Sequence, residues 1–111
     1  MKLRMKALTG ISCPDHKMDR ILKAQGFRSS HNQPPVYNMK IRDTASGGTY
    51  RLTLPTSLKK KGFKTKFLGL DTPTIKPQTP MGNSKIESFV PESVVTAAWE
   101  KIEEIASYLK S

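Results

Sequence analysis

The sequence predicts an α+β fold: a two-layer sandwich of element order β-α-β-β-β-α, with both helices on one face of a mainly antiparallel sheet. Three observations support this class. The length of 111 residues suits a single domain spanning residues 1–111. Several short runs alternate apolar with polar residues, which is typical of strands with one buried face. Two further segments repeat their apolar residues at helical spacing.

The first two predicted elements are a strand and a short helix. In residues 1–7, apolar residues alternate with three cations, which predicts a strand with a basic exposed face. Residues 14–25 then form an amphipathic helix. Pro14 is favourable in its first turn, and Gly26 can adopt the left-handed conformation that ends a helix. Phe27 is placed to fold back on Leu22.

The next two strands are predicted to form a β-hairpin around the turn-like residues 44–48. With a loop at residues 44–47, Lys40 faces Arg51 and Pro55 ends the second strand. Two cations directly opposed in a sheet are unfavourable unless an anion lies over them. One face of the hairpin then collects its apolar side chains, which are Tyr37, Met39, Ile41, Tyr50, Leu52 and Leu54.

A third strand is predicted at residues 63–70, with Lys64 and Lys66 on its polar face and Phe63 and Phe67 among the apolar set. Residues 71–84 contain three prolines and little apolar content, which predicts a mobile Pro-rich loop. Residues 86–90 form either a short edge strand or a packed connector.

The last helix begins at Val90-Pro91-Glu92, with proline in the first turn and an acidic residue near the positive end of the helix dipole. Its apolar stripe is predicted to pack against the sheet, and Trp99 beside it belongs to the core or to a dimer seam. The members of the stripe are Val95, Ala98, Ile102, Ile105 and Leu109.

Charge provides the main functional signal. Lys and Arg number 19 against nine Asp and Glu, a formal charge of +10. Residues 1–90 carry 17 basic and 5 acidic groups, so the basic surface does not lie on the last helix. The candidate nucleic-acid-binding residues are predicted on exposed strand positions of one sheet face or at its rim: Lys2, Arg4, Lys6, Lys40, Arg42, Arg51, Lys59, Lys60, Lys61, Lys64 and Lys66.

Such a face predicts a small basic accessory protein that binds nucleic acid or another polyanion, mainly through phosphates and with strong salt dependence. The alternative is a protein-interaction module or structural subunit. It would bind an acidic protein partner or self-associate through the C-terminal helix, as a monomer or homodimer.

Catalysis is not predicted. Cys13 near a helix start, with His16 one turn away, offers a thiol and a base, but no oxyanion site or pocket accompanies them in the sequence. With His31, these residues fall short of a four-ligand zinc site, so neither a metal nor a cofactor is expected.

A single cysteine favours a reducing compartment. No apolar run approaches the length of a membrane span. The sequence therefore predicts a soluble cytoplasmic protein without a membrane partner.

Overall fold

The computed structural model describes residues 1–45, 47–78 and 90–110. This part of the chain is α+β, with two helices and an antiparallel sheet, which confirms the predicted class. The helices are α1 (Asp15–Ala24) and α2 (Glu92–Lys110), and a single 3-10 turn covers Lys6–Leu8. The strands are β1 (Cys13–Pro14), β2 (Arg28–Ser29), β3 (Val36–Arg42), β4 (Thr49–Lys61), β5 (Lys66–Leu70) and β6 (Thr74–Pro77).

The central strand of the sheet is β4. One of its edges pairs with β3, in the register predicted from the sequence: Lys40 lies opposite Arg51 and Ile41 opposite Tyr50. The other edge pairs with β6 along residues 50–53 and with β5 along residues 56–61. Strands β2 and β1 complete the sheet beyond β3 and β5, respectively.

Pro55 does not end its strand, contrary to the sequence prediction, because β4 continues through it to Lys61. The Pro55 carbonyl accepts a hydrogen bond from the Asp71 N–H at 2.9 Å. This bond lies at the interruption between β5 and β6. The N–H that proline lacks would point toward the same irregular stretch, so its absence removes no regular hydrogen bond of the sheet.

The predicted loop at residues 71–84 is also corrected in its first half, because β6 pairs with β4. Ile75 is fully buried opposite Leu52, and that burial stabilises the short strand despite its two flanking prolines. Residues 79–84 lie outside the described residues, as does most of the segment predicted as an edge strand or connector at 86–90.

The predicted N-terminal strand is realised only at its start. The Leu3 N–H donates to Pro73 O at 2.8 Å, and the Ile75 N–H donates to Met1 O at 2.9 Å. The chain then leaves the sheet edge for the 3-10 turn and returns as β1, which pairs with β5. Alternation in residues 1–7 therefore reports burial rather than continuous pairing, since Leu3 is buried between two exposed cations.

Both helices bury an apolar side against the rest of the molecule. The N-terminal helix ends as predicted: Gly26 has φ of +97°, and the Phe27 N–H returns to Leu22 O at 3.0 Å. Of the predicted stripe of α2, Ala98, Ile102, Ile105 and Leu109 are buried and Val95 is only half-buried, because Val94 faces the core instead; Ala106 is buried as well. Trp99 is 38% exposed and so does not belong to the core. Neither helix in the described residues has the length and hydropathy needed to cross a membrane.

Candidate functional site

A row of three cations crosses the sheet. Lys40 on β3 lies opposite Arg51 on β4, which lies opposite Lys76 on β6. Paired residues project to the same face, and all three side chains are exposed. None of the three forms an ion pair with a carboxylate of the described residues. Among the described residues, no carboxylate therefore offsets the repulsion expected between these directly opposed cations.

A second row on the same face adds two more cations, one at each edge. Residues two apart on a strand share a face, so Asn38, Thr53 and Thr74 lie beside the first row. Arg28 pairs with Asn38 at one edge, and Lys2 pairs with Thr74 at the other. With Arg42, which lies opposite Thr49, these side chains form what we call the cationic face: Lys2, Arg28, Lys40, Arg42, Arg51 and Lys76.

The cationic face contains a depression of about 570 Å³ near its β2 edge. Arg28, Lys40 and Arg51 line it together with Asn38. The Thr53 hydroxyl donates to Asn38 Oδ1 at 3.0 Å, which occupies one acceptor position of that amide oxygen. Gly26 and Met39 complete the wall. The depression therefore brings three cations together, the property that suits a phosphate group.

Two members of this face, Arg28 and Lys76, are absent from the residues predicted by sequence. Arg28 belongs to a strand of two residues, too short to show alternation. Lys76 lies in the segment predicted as a loop. The alternation of Thr74, Ile75 and Lys76 is the signal that would have revealed it.

Five further predicted cations lie at the far end of β4 and β5, on what we call the hairpin tip, residues 59–66. Lys61 lies opposite Lys66, and the register shifts between Leu58 and Lys60. The turn is held by a hydrogen bond from the Gly62 N–H to Thr65 O at 2.7 Å. The exposed lysines of the tip are Lys59, Lys60, Lys61, Lys64 and Lys66.

The predicted facing of the third strand is wrong by one residue. Leu68 and Leu70 are buried, which places Lys66 on the core side of the sheet, beyond the end of the covered region. Phe67 is only half-buried, on the opposite side. The segment contains two competing apolar sets, and a slip of one residue exchanges the faces of a strand.

The remaining predicted cations are exposed but are not assigned to the cationic face by strand register. Arg4 lies between the N-terminal bridge and the 3-10 turn, Lys6 begins that turn, and Lys64 is in the hairpin turn. Because Lys66 is on the other side, the prediction that all strand cations share one face holds for Lys2, Lys40, Arg42 and Arg51 only.

Cys13 is placed as a structural residue. It is 1% exposed, and burial raises the pKa of its thiol although Lys17 and Arg20 act to lower it. A protonated, buried thiol is a poor nucleophile. Within residues 1–45, 47–78 and 90–110, no cluster of three or more His, Cys, Asp or Glu side chains is arranged to hold a metal ion.

A second depression, of about 460 Å³, lies between the start of α1 and the loop before β3. Asp15, Asp19, Tyr37 and Lys66 contribute to its wall. The Tyr37 hydroxyl donates to Asp19 Oδ1 at 2.8 Å, and Lys23 Nζ lies 3.0 Å from Asp19 Oδ2. The Asp19 carboxylate is therefore already paired within the protein.

The fold has a known counterpart. The chain is similar to the crystal structure of the uncharacterized conserved protein YugN from Geobacillus kaustophilus HTA426, with a TM-score of 0.80 and 18% sequence identity. The similarity covers 99% of this chain and 95% of that chain. At this identity the comparison establishes the fold. No protein-family model and no curated protein matches the sequence.

Proposed function

We propose that this protein binds nucleic acid through the cationic face, mainly by contacts with backbone phosphates. The observation that carries the proposal is the row Lys40, Arg51 and Lys76, three directly opposed cations with no carboxylate partner in the described residues. Repulsion within such a row raises the free energy of the folded protein. Phosphates placed over it would relieve that repulsion and release their condensed counterions.

The proposal includes the finer architecture predicted from the sequence: a two-layer sandwich with both helices on the apolar side of the sheet. The buried side chains of the hairpin support this arrangement, since Tyr37, Leu52 and Leu54 project away from the cations. With the helices on that side, the cationic face is open to a large ligand.

Little sequence discrimination is expected. Lysines and arginines on strands approach phosphates as charges, whereas base discrimination needs side chains directed at base edges. Asn38 is a residue type suited to that role, but it is a single amide among the cations that line the depression, and its oxygen already accepts one hydrogen bond, from Thr53. We therefore expect nonspecific binding, with Kd of about 10⁻⁴ to 10⁻⁶ M near physiological salt.

The test is the salt dependence of binding. Lys40, Arg42 and Arg51 are changed together to Gln, and affinity for a fluorescent oligonucleotide is measured by anisotropy between about 50 and 200 mM salt. Loss of three phosphate contacts should flatten the slope of log K against log salt by about 2 to 3. A control of equal charge changes the helix cations Arg20, Lys23 and Lys110 to Gln, away from the face; because Lys23 is paired with Asp19, the unfolding midpoint of this variant is measured alongside.

A slope that both triple variants change equally would contradict the proposal, because it would reflect net charge alone. An acidic protein is the competing partner, since it would contact the same cations. Polyglutamate of matched charge distinguishes the two: tighter binding of polyglutamate than of the oligonucleotide would overturn the nucleic-acid assignment. Self-association through the α2 stripe is disfavoured because that stripe is buried within the fold.

A further inference from the structure

The side chain of Phe63 is 98% exposed at the end of the hairpin tip. The other large hydrophobic side chains with substantial exposure in the described residues, such as Met1 and Leu58, are about half covered. Phe63 therefore contributes almost nothing to the packing of the described part of the chain. An aromatic ring left in water at the end of a hairpin is a candidate contact for a ligand.

The ring is presented on an ordered, strongly basic support. The Gly62-to-Thr65 hydrogen bond closes the turn, and the pairing of Lys61 with Lys66 continues the sheet to its base. The five lysines of the hairpin tip form no ion pair with a carboxylate of the described residues. A planar apolar ring among cations matches the two parts of a nucleotide, the base and the phosphate.

The hairpin tip is continuous with the cationic face along β4. Residues 51, 53, 55 and 57 follow one another on one side of this strand, and Ser57 is paired with Gly69. The Lys59 side chain crosses over Gly69, at the position where a Cβ would lie, and so extends the same side toward the tip. Along this side of β4, cations therefore lie at both ends, with Arg51 at one and Lys59 at the other.

This layout favours a chain-like polyanion over a lipid bilayer. A nucleic-acid strand can follow β4 from the cationic face to Lys59, Lys60 and the Phe63 ring, whereas Lys61 and Lys66 project to the other side of the sheet. A bilayer that took up the Phe63 ring would contact the tip and leave the row at Lys40 and Arg51 in water.

We propose that Phe63 stacks on an unpaired base, and that the hairpin tip thereby gives the protein a preference for single-stranded over double-stranded nucleic acid. This inference rests on the proposed function and assigns the tip a distinct role. Bases in a duplex are already stacked on their neighbours, so only an unpaired base offers its face to the ring.

The experiment compares a single-stranded 30-mer with its duplex in the wild type and in Phe63→Ala. Stacking contributes enough per base that Phe63→Ala should weaken single-strand binding about tenfold while leaving duplex binding within about twofold. Tyr108→Ala is the matched control: it removes another exposed aromatic residue, from α2, and should change neither affinity.

A second variant, Phe63→Trp, gives a direct signal. The Trp99 signal is measured in wild type and subtracted. The remaining emission of the Phe63→Trp variant should be quenched by the single strand and unchanged by the duplex. Unchanged single-strand affinity in Phe63→Ala would overturn the inference while the salt slope still supports the proposed function. A blue shift with phosphatidylserine vesicles and no quenching by the single strand would overturn it in favour of a membrane. No binding of wild type to either oligonucleotide at low salt would overturn both proposals.

Discussion

The hydroxyl group of Tyr37 joins β3 to α1 through its hydrogen bond with Asp19. Burial, then the hydrogen bond and the charge of Asp19, raise the pKa of Tyr37 well above its usual range. Burial also acts to raise the pKa of Asp19, but hydrogen bonds from Lys23 and Tyr37 outweigh it and hold that pKa below its ordinary value. The contact therefore stabilises the ionised carboxylate.

This contact makes a prediction for Tyr37→Phe. Removing a hydrogen bond to a partly exposed charge should lower the free energy of unfolding by about 1 to 2 kcal/mol at pH 7. Because the folded pKa of Asp19 is depressed, its contribution is present above about pH 4 and is lost as the pH falls through the lower folded value. Urea unfolding at pH 7 and pH 3 should show the difference between variant and wild type shrinking in acid. A constant difference would show that the contribution of the hydroxyl does not depend on the charge of Asp19.

At the level of elements, α2 connects the N-terminal turn, α1 and β3. Its outer side carries Glu100, Glu103 and Glu104, whereas Ile102 and Ile105 are fully buried. These acidic side chains face water, in agreement with the residue counts, which place most of the basic groups before α2. The helix thus stabilises the fold without contributing cations to the proposed interface.

The energetic role of this helix is tested by Ile102→Ala. Deleting a fully buried side chain of this size should lower the free energy of unfolding by about 2 to 5 kcal/mol, through lost burial and a residual cavity. Glu103→Gln, one residue away and exposed, should change it by less than about 0.5 kcal/mol. Chemical denaturation measures both. An unfolding midpoint unmoved by Ile102→Ala would show that the stripe is not packed in solution.

For the whole molecule, segregation of charge has a cost. Like charges are paired directly at Lys40 with Arg51, at Arg51 with Lys76, and at Lys61 with Lys66. With a formal charge of +10, the folded state is destabilised by self-repulsion that the unfolded chain relieves. Anionic ligands that bind where these cations converge should therefore stabilise the folded protein, because the unfolded chain does not bring the cations together.

This repulsion predicts how stability responds to salt. The triple variant Lys40, Arg42 and Arg51 to Gln should unfold at the same temperature as wild type or a higher one in about 10 mM salt, where the Debye length is about 30 Å. The advantage should vanish in about 1 M salt, where that length is about 3 Å. Thermal scans at the two ionic strengths check this. A variant less stable than wild type at both would show that the cations support the fold directly.

Local features were predictable from the sequence. Period-two alternation and a turn-rich break specify the β3–β4 hairpin, since any one-residue slip would bury Lys40 and Arg51. Gly26 and Phe27 specify the end of α1 for an equally local reason. Gly26 adopts the left-handed conformation that ends many helices, and Phe27 then folds back on the last turn. The excess of cations over acids before α2 is a matter of composition. The same alternation places Lys40, Arg42 and Arg51 together on one face.

Only the tertiary structure decided which of two apolar sets the third strand buries. Phe63 and Phe67 compete with Leu68 and Leu70, and the leucines are selected because they lie over the core opposite Thr56 and Leu58, while Phe63 lies beyond its end. The pairing of β6, which brings Lys76 into the cationic row, depends equally on a distant partner, Leu52 opposite Ile75. Periodicity identifies a face that can be buried. Contacts between segments far apart in the chain determine whether anything covers it.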